Sequence, residues 1–144
     1  MARRAHRQVL DGVIAVLRNH ATVGANLFED PSHAIADSKI PAFIVEPDRE
    51  SSEKFAEAHD SNLEELRRFS VLVTIFATSP TQRDTLALDV ETLINRSKVG
   101  RERFFSDAEY ERSGQGAAAV YAMRMRFGFE FYLEADRPGQ MVVR

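Results

Sequence analysis

Phe69-Ser70-Val71-Leu72-Val73-Thr74-Ile75-Phe76-Ala77-Thr78 runs straight into Ser79-Pro80-Thr81-Gln82, and this junction decides the fold class. In the first part Phe69, Val71, Val73, Ile75 and Ala77 share one face of a strand, while Ser70, Leu72, Thr74, Phe76 and Thr78 share the other. Apolar residues on both faces predict a central strand over 67–78, covered on both sides. The second part is a helix start. Serine stands at the N-cap, proline at the first helical position, and glutamine three residues after the serine completes a capping box. The helix is read over 80–96, burying Leu86, Val90, Leu93 and Ile94. Leu88 falls nearly opposite that face. It is either a contact with another subunit or a lone exposed leucine of the ordinary kind.

Upstream, residues 4–20 read as an amphipathic helix whose apolar arc is Val9, Leu10, Val13, Ile14, Val16 and Leu17. Its leading arginines oppose the helix dipole, so they are either solvated or answered by an acidic neighbour. Residues 22–28 predict a short strand closed by Asp30-Pro31, and 40–46 a stronger one with Pro41 near its start. The stretch 47–66 reads as a long acidic hairpin arm with some helical character in its second half. Downstream, 98–117 is polar and broken by Gly100, Gly114 and Gly116, with a short strand near 103–105 and another hairpin arm. Residues 118–134 form the longest strand, with Tyr121, Met123, Met125, Phe127, Phe129, Phe131 and Leu133 on one side. At about three times the usual strand length it is expected to bend, at Gly128. The tail from Arg137-Pro138-Gly139 to Arg144 is not expected to continue the sheet. This order predicts an α+β fold, a mainly antiparallel sheet with two helices packed on one face and long hairpin arms. It is read as one domain over 1–136, with the acidic arm at 47–66, a polar insertion at 98–117 and a tail at 137–144.

The chain has 144 residues and 16.3 kDa, enough for one domain with its own core. It has no cysteine, which excludes disulfides, thiolate metal sites and cysteine nucleophiles. A net charge of −3 argues against the broad basic footprint of a nucleic-acid binder. No stretch approaches ~18 apolar residues, so no membrane span is expected, and the basic start is followed by no signal-peptide pattern. These features lead us to expect a soluble intracellular protein. The charge is unevenly spread. Between Glu46 and Leu66 eight acidic residues face two basic ones, a net −6, so the rest of the chain carries +3.

No catalytic motif is found. His6, His20, His33 and His59 lack metal-ligand spacing. No phosphate-cradling glycine loop, no Gly-Lys-Ser/Thr and no Gly-x-Ser-x-Gly elbow occurs. The acidic segment has three readings: a solvated loop, an arm that orders against a basic partner, or a divalent-metal site, the last without EF-hand spacing. Within it Asp48, Glu50, Glu53 and Glu57 are the candidates for reaching a basic surface. Arg124 and Arg126, two apart on one strand face, either bind phosphate or a neighbour's carboxylate or pair across strands with acidic residues. The stripe Phe127, Phe129, Phe131 reads as core. Met141, Val142 and Val143 are candidates for packing on a neighbouring subunit.

The order of elements carries a resemblance. An amphipathic helix leads to a strand opened by proline (Ile40-Pro41-Ala42-Phe43-Ile44-Val45), a long hairpin arm and the strand Phe69–Thr78. A helix with Leu86-x-x-Asp89-Val90-Glu91-x-Leu93-Ile94 and an aromatic closing strand follow. This order resembles the tail terminator proteins of long-tailed bacteriophages and phage-like particles, the minor tail protein U type, over about the whole chain. The resemblance implies a virion protein, assembled in a bacterial cytoplasm, that forms a homohexameric ring on the head-proximal end of the tail tube. Such a ring stops polymerisation of the tube protein and docks a head–tail connector or stopper, while DNA passes through its lumen without specific binding. The resemblance implies no catalytic residue and no cofactor. The alternatives are another head–tail connector (a stopper or adaptor), a small enzyme with dispersed site residues, or a dimeric binding domain.

Overall fold

The computed structural model describes residues 5–29, 39–54, 64–99, 102–114, 119–134 and 137–142. Its elements are α1 (Ala5–Arg18), a 3-10 turn (Gly24–Asn26), β1 (Leu27–Phe28), β2 (Ala42–Lys54) and β3 (Glu64–Ala77), then α2 (Pro80–Arg96), β4 (Glu102–Ser113), β5 (Val120–Glu134) and β6 (Arg137–Val142).

The strand-to-helix junction forms as its residues dictate. Ser79 Oγ accepts the Gln82 amide at 3.1 Å. The Gln82 side chain reaches one residue further back than in the usual box, accepting from the Thr78 amide at 2.9 Å and the Thr78 hydroxyl at 3.1 Å. At the other end the Ser97 amide bonds the Leu93 and Ile94 carbonyls, and its hydroxyl bonds Ile94 O at 2.6 Å. Two side chains therefore close two helix ends that would otherwise leave orphan backbone groups. Helix α2 buries Leu86, Ala87, Val90 and Ile94, with Leu93 half-buried against them. Helix α1 buries Ala5, Val9, Leu10, Val13, Ile14 and Leu17. Its arginine at position 7 is answered: Arg7 sits 2.9 Å from Asp11 and 2.9 Å from Glu29, so the misplaced charge at the helix start is neutralised.

The sheet runs β1-β2-β3-β5-β4, with β6 also paired to β5. Strand β3 is central, antiparallel to both β2 and β5. Cross-strand pairs Phe69–Phe129, Val71–Phe127, Val73–Met125 and Ile75–Met123 lie on one face. Phe43 and Val45 join them from β2, and both helices pack on this same face to make one core. Each such side chain contributes about 1.5–3 kcal/mol by leaving water. The α+β class with helices on one face is thus the observed one.

Several sequence expectations are corrected. Residues 22–28 are not a strand throughout. A 3-10 turn occupies Gly24–Asn26, and only Leu27 and Phe28 pair, parallel to β2 at Phe43 and Ile44. The stretch 98–117 holds no brief strand but the twelve-residue β4, aligned with β5 from Ser113–Val120 to Glu102–Glu130. An edge strand needs apolar residues on one side only, which is why its composition reads as polar. The tail does continue the sheet. Glu134 pairs Arg137, then Leu133 pairs Met141, so Pro138, Gly139 and Gln140 have no partner in the ladder and the donor that proline lacks is not called on there. The arm is extended where it is described, with β2 and β3 paired as far as Lys54–Glu65. At 64–66 it is strand rather than helix, and 55–63 lie outside the described residues. The β3–β5 ladder runs through Gly128 without a register shift. A Cβ there would stand 2.4 Å from Cζ of Phe104, its cross-strand partner, so the glycine makes room for that ring.

Candidate assembly surfaces

The face of the sheet away from the helices carries a charge array built by two bulges. In β2 the ladder skips Asp48, between Pro47–Val71 and Arg49–Ser70. In β4 it skips Ser106, between Phe105–Phe127 and Asp107–Arg126. Both irregularities lie level with Val71–Phe127 in the middle of the sheet. They bring Asp48 and Asp107 to the same guanidinium. Arg126 donates from Nε to Asp48 at 2.7 Å and from Nη1 to both oxygens of Asp107 at 2.7 and 2.8 Å. One side chain thereby spans from β2 to β4 across the central strands. The hydrogen bond to Asp48 is the main influence raising the Arg126 pKa, with Asp107 adding to it. Arg124 lies 3.4 Å from Glu111 of β4, and Arg68 bonds Glu130 at 2.9 Å.

These positions answer where the sequence candidates fall. Arg124 and Arg126 pair across strands within the chain. Asp48 is held by Arg126, and Glu50 by Arg67 at 3.1 Å. The backbone of Glu53 lies in β2 opposite Leu66, and Glu57 lies outside the described residues. The Met141 and Val142 backbones pair with Leu133 and Tyr132 of the same chain, while Val143 lies outside the described residues. Sequence reading missed Asp107, because its contact with Arg126 depends on where two bulges fall.

Exposed pairs of this kind are worth about 0.2–1 kcal/mol each. Arg126→Ala is therefore expected to cost about 1 kcal/mol and to leave two carboxylates facing each other across the gap. Salt should then stabilise the variant more than the parent. Chemical denaturation by urea at low and high ionic strength measures this, and an equal salt response in both would contradict it.

The second surface is the flank made by β4 and α2. Leu88 is 65% exposed, Tyr110 63%, Phe104 45% and Phe105 39%. The Arg83 guanidinium of α2 lies 4.8 Å from the Tyr110 ring centre, and Arg103 of β4 donates to Asn95 O at 3.3 Å from both Nε and Nη2. Helix α2 thus runs alongside the edge strand in the opposite direction, with Phe105 and Tyr110 on the helix face of β4 and Phe104 on its other face. Phe104 and Phe105 were legible as an adjacent apolar pair within a polar stretch, the one signal that could have marked this flank.

The histidines that are described serve the fold. His20 accepts the Thr22 and Val23 amides on Nδ1 at 3.2 and 3.1 Å, which places its proton on Nε2, 2.9 Å from Asp89. It ties the end of α1 to α2 and meets Phe43 edge-on. His6 packs on Phe69, and His33 and His59 lie outside the described residues. Among the described residues no three His, Asp or Glu side chains gather as a metal site, and no helix is long and apolar enough to cross a membrane.

No protein-family model matches the sequence, and no curated protein matches it. Among solved structures the chain is similar to one from the virion of a native gene transfer agent particle. The two are 12% identical with a TM-score of 0.49, over 84% of this chain and 92% of that one.

Proposed function

We propose that the protein is a structural virion subunit, a tail terminator whose six copies close a ring on the head-proximal end of a tail tube. The ring ends polymerisation of the tube protein and offers a docking surface to the head–tail connector. The role is mechanical; it needs no catalysis, cofactor or membrane. The observation that supports it is the flank of Leu88, Phe104, Phe105 and Tyr110, set across the sheet from the unlike, polar edge of β2. Exposed aromatics gathered along one edge strand mark a protein contact. A subunit whose two unlike sides are complementary to each other associates head to tail, and such contacts close into rings when the rotation permits. A net charge of −3 per copy would keep DNA from adhering to the lumen.

Native mass spectrometry over a concentration series, with negative-stain images of the largest species, tests this. A closed species near six times 16.3 kDa with a central hole is expected, as is arrest of elongation when the protein is added to growing tubes. A closed two-fold dimer, together with tubes that elongate unaffected, would overturn the proposal. Capping of portal complexes in place of tubes would shift it to a head–tail stopper.

A further inference from the structure

We infer that β4 is a pairing edge for a second copy of this chain, and that its mate is the opposite edge of the sheet, β2 from Val45 to Ser51. The inference rests on the ring reading and names the strands that would join neighbouring subunits. Both edges are open among the described residues. Strand β4 pairs with β5 alone, and β2 pairs with β3 alone once β1 has taken Phe43 and Ile44. Exposed backbone donors and acceptors on such edges are templates for another strand.

Strand polarity and level both fit. The strands β2, β3, β5 and β4 alternate in direction. If copies are related by rotation about an axis along the strands, β2 of the next copy therefore arrives antiparallel to β4, the more favourable pairing. The register also defines rows across the sheet. Arg103 shares a row with Glu50 through Phe129 and Phe69, Phe104 with Arg49 through Gly128 and Ser70, and Asp107 with Glu46 through Arg126 and Leu72. Rotation without rise, as in a flat ring, brings the end of each row against its own beginning in the next copy.

The bulges decide the matter. Between the Phe104 row and the Asp107 row the central strands hold one residue each, Phe127 and Val71. Strand β4 holds two there, Phe105 and Ser106, and β2 holds two, Pro47 and Asp48. Both extra residues fall in the same interval, where Phe105 faces Asp48 and Ser106 faces Pro47 across the seam, so the two edges keep step and their inner and outer faces stay matched on either side of it. Across this seam Arg49 of the neighbour meets the Phe104 ring, a cation–aromatic pair, and Arg103 meets Glu50 of the neighbour, an opposite-charge pair added to the Arg103 bond to Asn95 O and the Glu50 bond to Arg67. Asp107 meets Glu46, but Asp107 is already held by Arg126.

The sequence lacks cysteine, so disulfide trapping is free of background. We would oxidise the full-length double variant Arg49→Cys/Phe104→Cys at the concentration used for native mass spectrometry. Within one chain the two positions are three strand spacings apart, roughly 14 Å, beyond the reach of a disulfide. A ladder of covalent multimers is expected on a non-reducing gel, with each single variant giving nothing above a dimer. Ser51→Cys/Glu102→Cys lies in the same register and repeats the test at sites away from the Phe104 ring. Rings seen by native mass spectrometry with no ladder from either pair would overturn the edge pairing and leave the ring standing, with β4 open to a strand of another protein. Neither ring nor ladder would overturn both.

Discussion

Alanine at Phe127 is expected to destabilise the fold by about 3–5 kcal/mol, out of a total of about 5–15 kcal/mol for a domain. Phe127 is fully buried at the middle of β5. It stands opposite Val71 of the central strand and Phe105 of the edge strand, with the Phe105 ring edge-on at 5.7 Å. No smaller side chain fills that space, and strand backbone held on both edges cannot collapse into it. The loss therefore combines lost burial with a cavity. Urea unfolding measures it as a lower midpoint at unchanged slope. Phe104→Ala on the opposite face should cost less than ~1 kcal/mol, because that ring is 45% exposed and leaves no cavity. The contrast separates stability from assembly. Phe104→Ala should leave a folded monomer that joins its neighbours poorly. A Phe127→Ala cost below ~1 kcal/mol would mean that the inner face of β5 is not the core.

What the sequence made legible follows from how local each signal is. Helix α2 was read at its observed bounds because Ser79, Pro80 and Gln82 act within four residues of one another. The central strand and the aromatic face of β5 were read from alternation, which burial on that face enforces residue by residue. Strand β4 was read short because its outer side chains, among them Asp107, Glu109 and Glu111, are charged, and the inner face of an edge strand is only partly covered. Strand β6 was missed because Pro138-Gly139 normally stops a strand; here the pair is looped out of the ladder, where neither residue has to donate. The array around Arg126 was half legible. Cross-strand pairing was a natural reading for an arginine on a strand face. That its partners would be Asp48 and Asp107 depends on bulges with no compositional signature. Those same bulges set the register proposed between subunits, so the least legible feature of the sheet carries the most about assembly.

Gly24→Ala is expected to cost about 3 kcal/mol. A Cβ at Gly24 would lie 2.2 Å from the carbonyl oxygen of Arg18, at the last turn of α1. Backbone meets side chain there, so one of the two must move. Neither is free to do so. The Gly24 amide donates to His20 O at 3.1 Å, and the amides of Thr22 and Val23 are held by the His20 ring. The same ring reaches Asp89 on α2, so displacing the turn also loosens the contact between the helices. At roughly 3–4 °C per kcal/mol for a domain of this size, the melting temperature should fall by about 10 °C. Gly128→Ala provides the control. Its added Cβ meets Cζ of Phe104 at 2.4 Å, but that atom is the far end of an exposed side chain that can swing away. The expected cost is under ~1 kcal/mol, and its effect should be felt at the proposed pairing of β4 with β2 of another copy. Calorimetry of the two variants side by side tests the distinction. Equal losses would mean that the Phe104 ring is fixed against the sheet and not free to serve a partner.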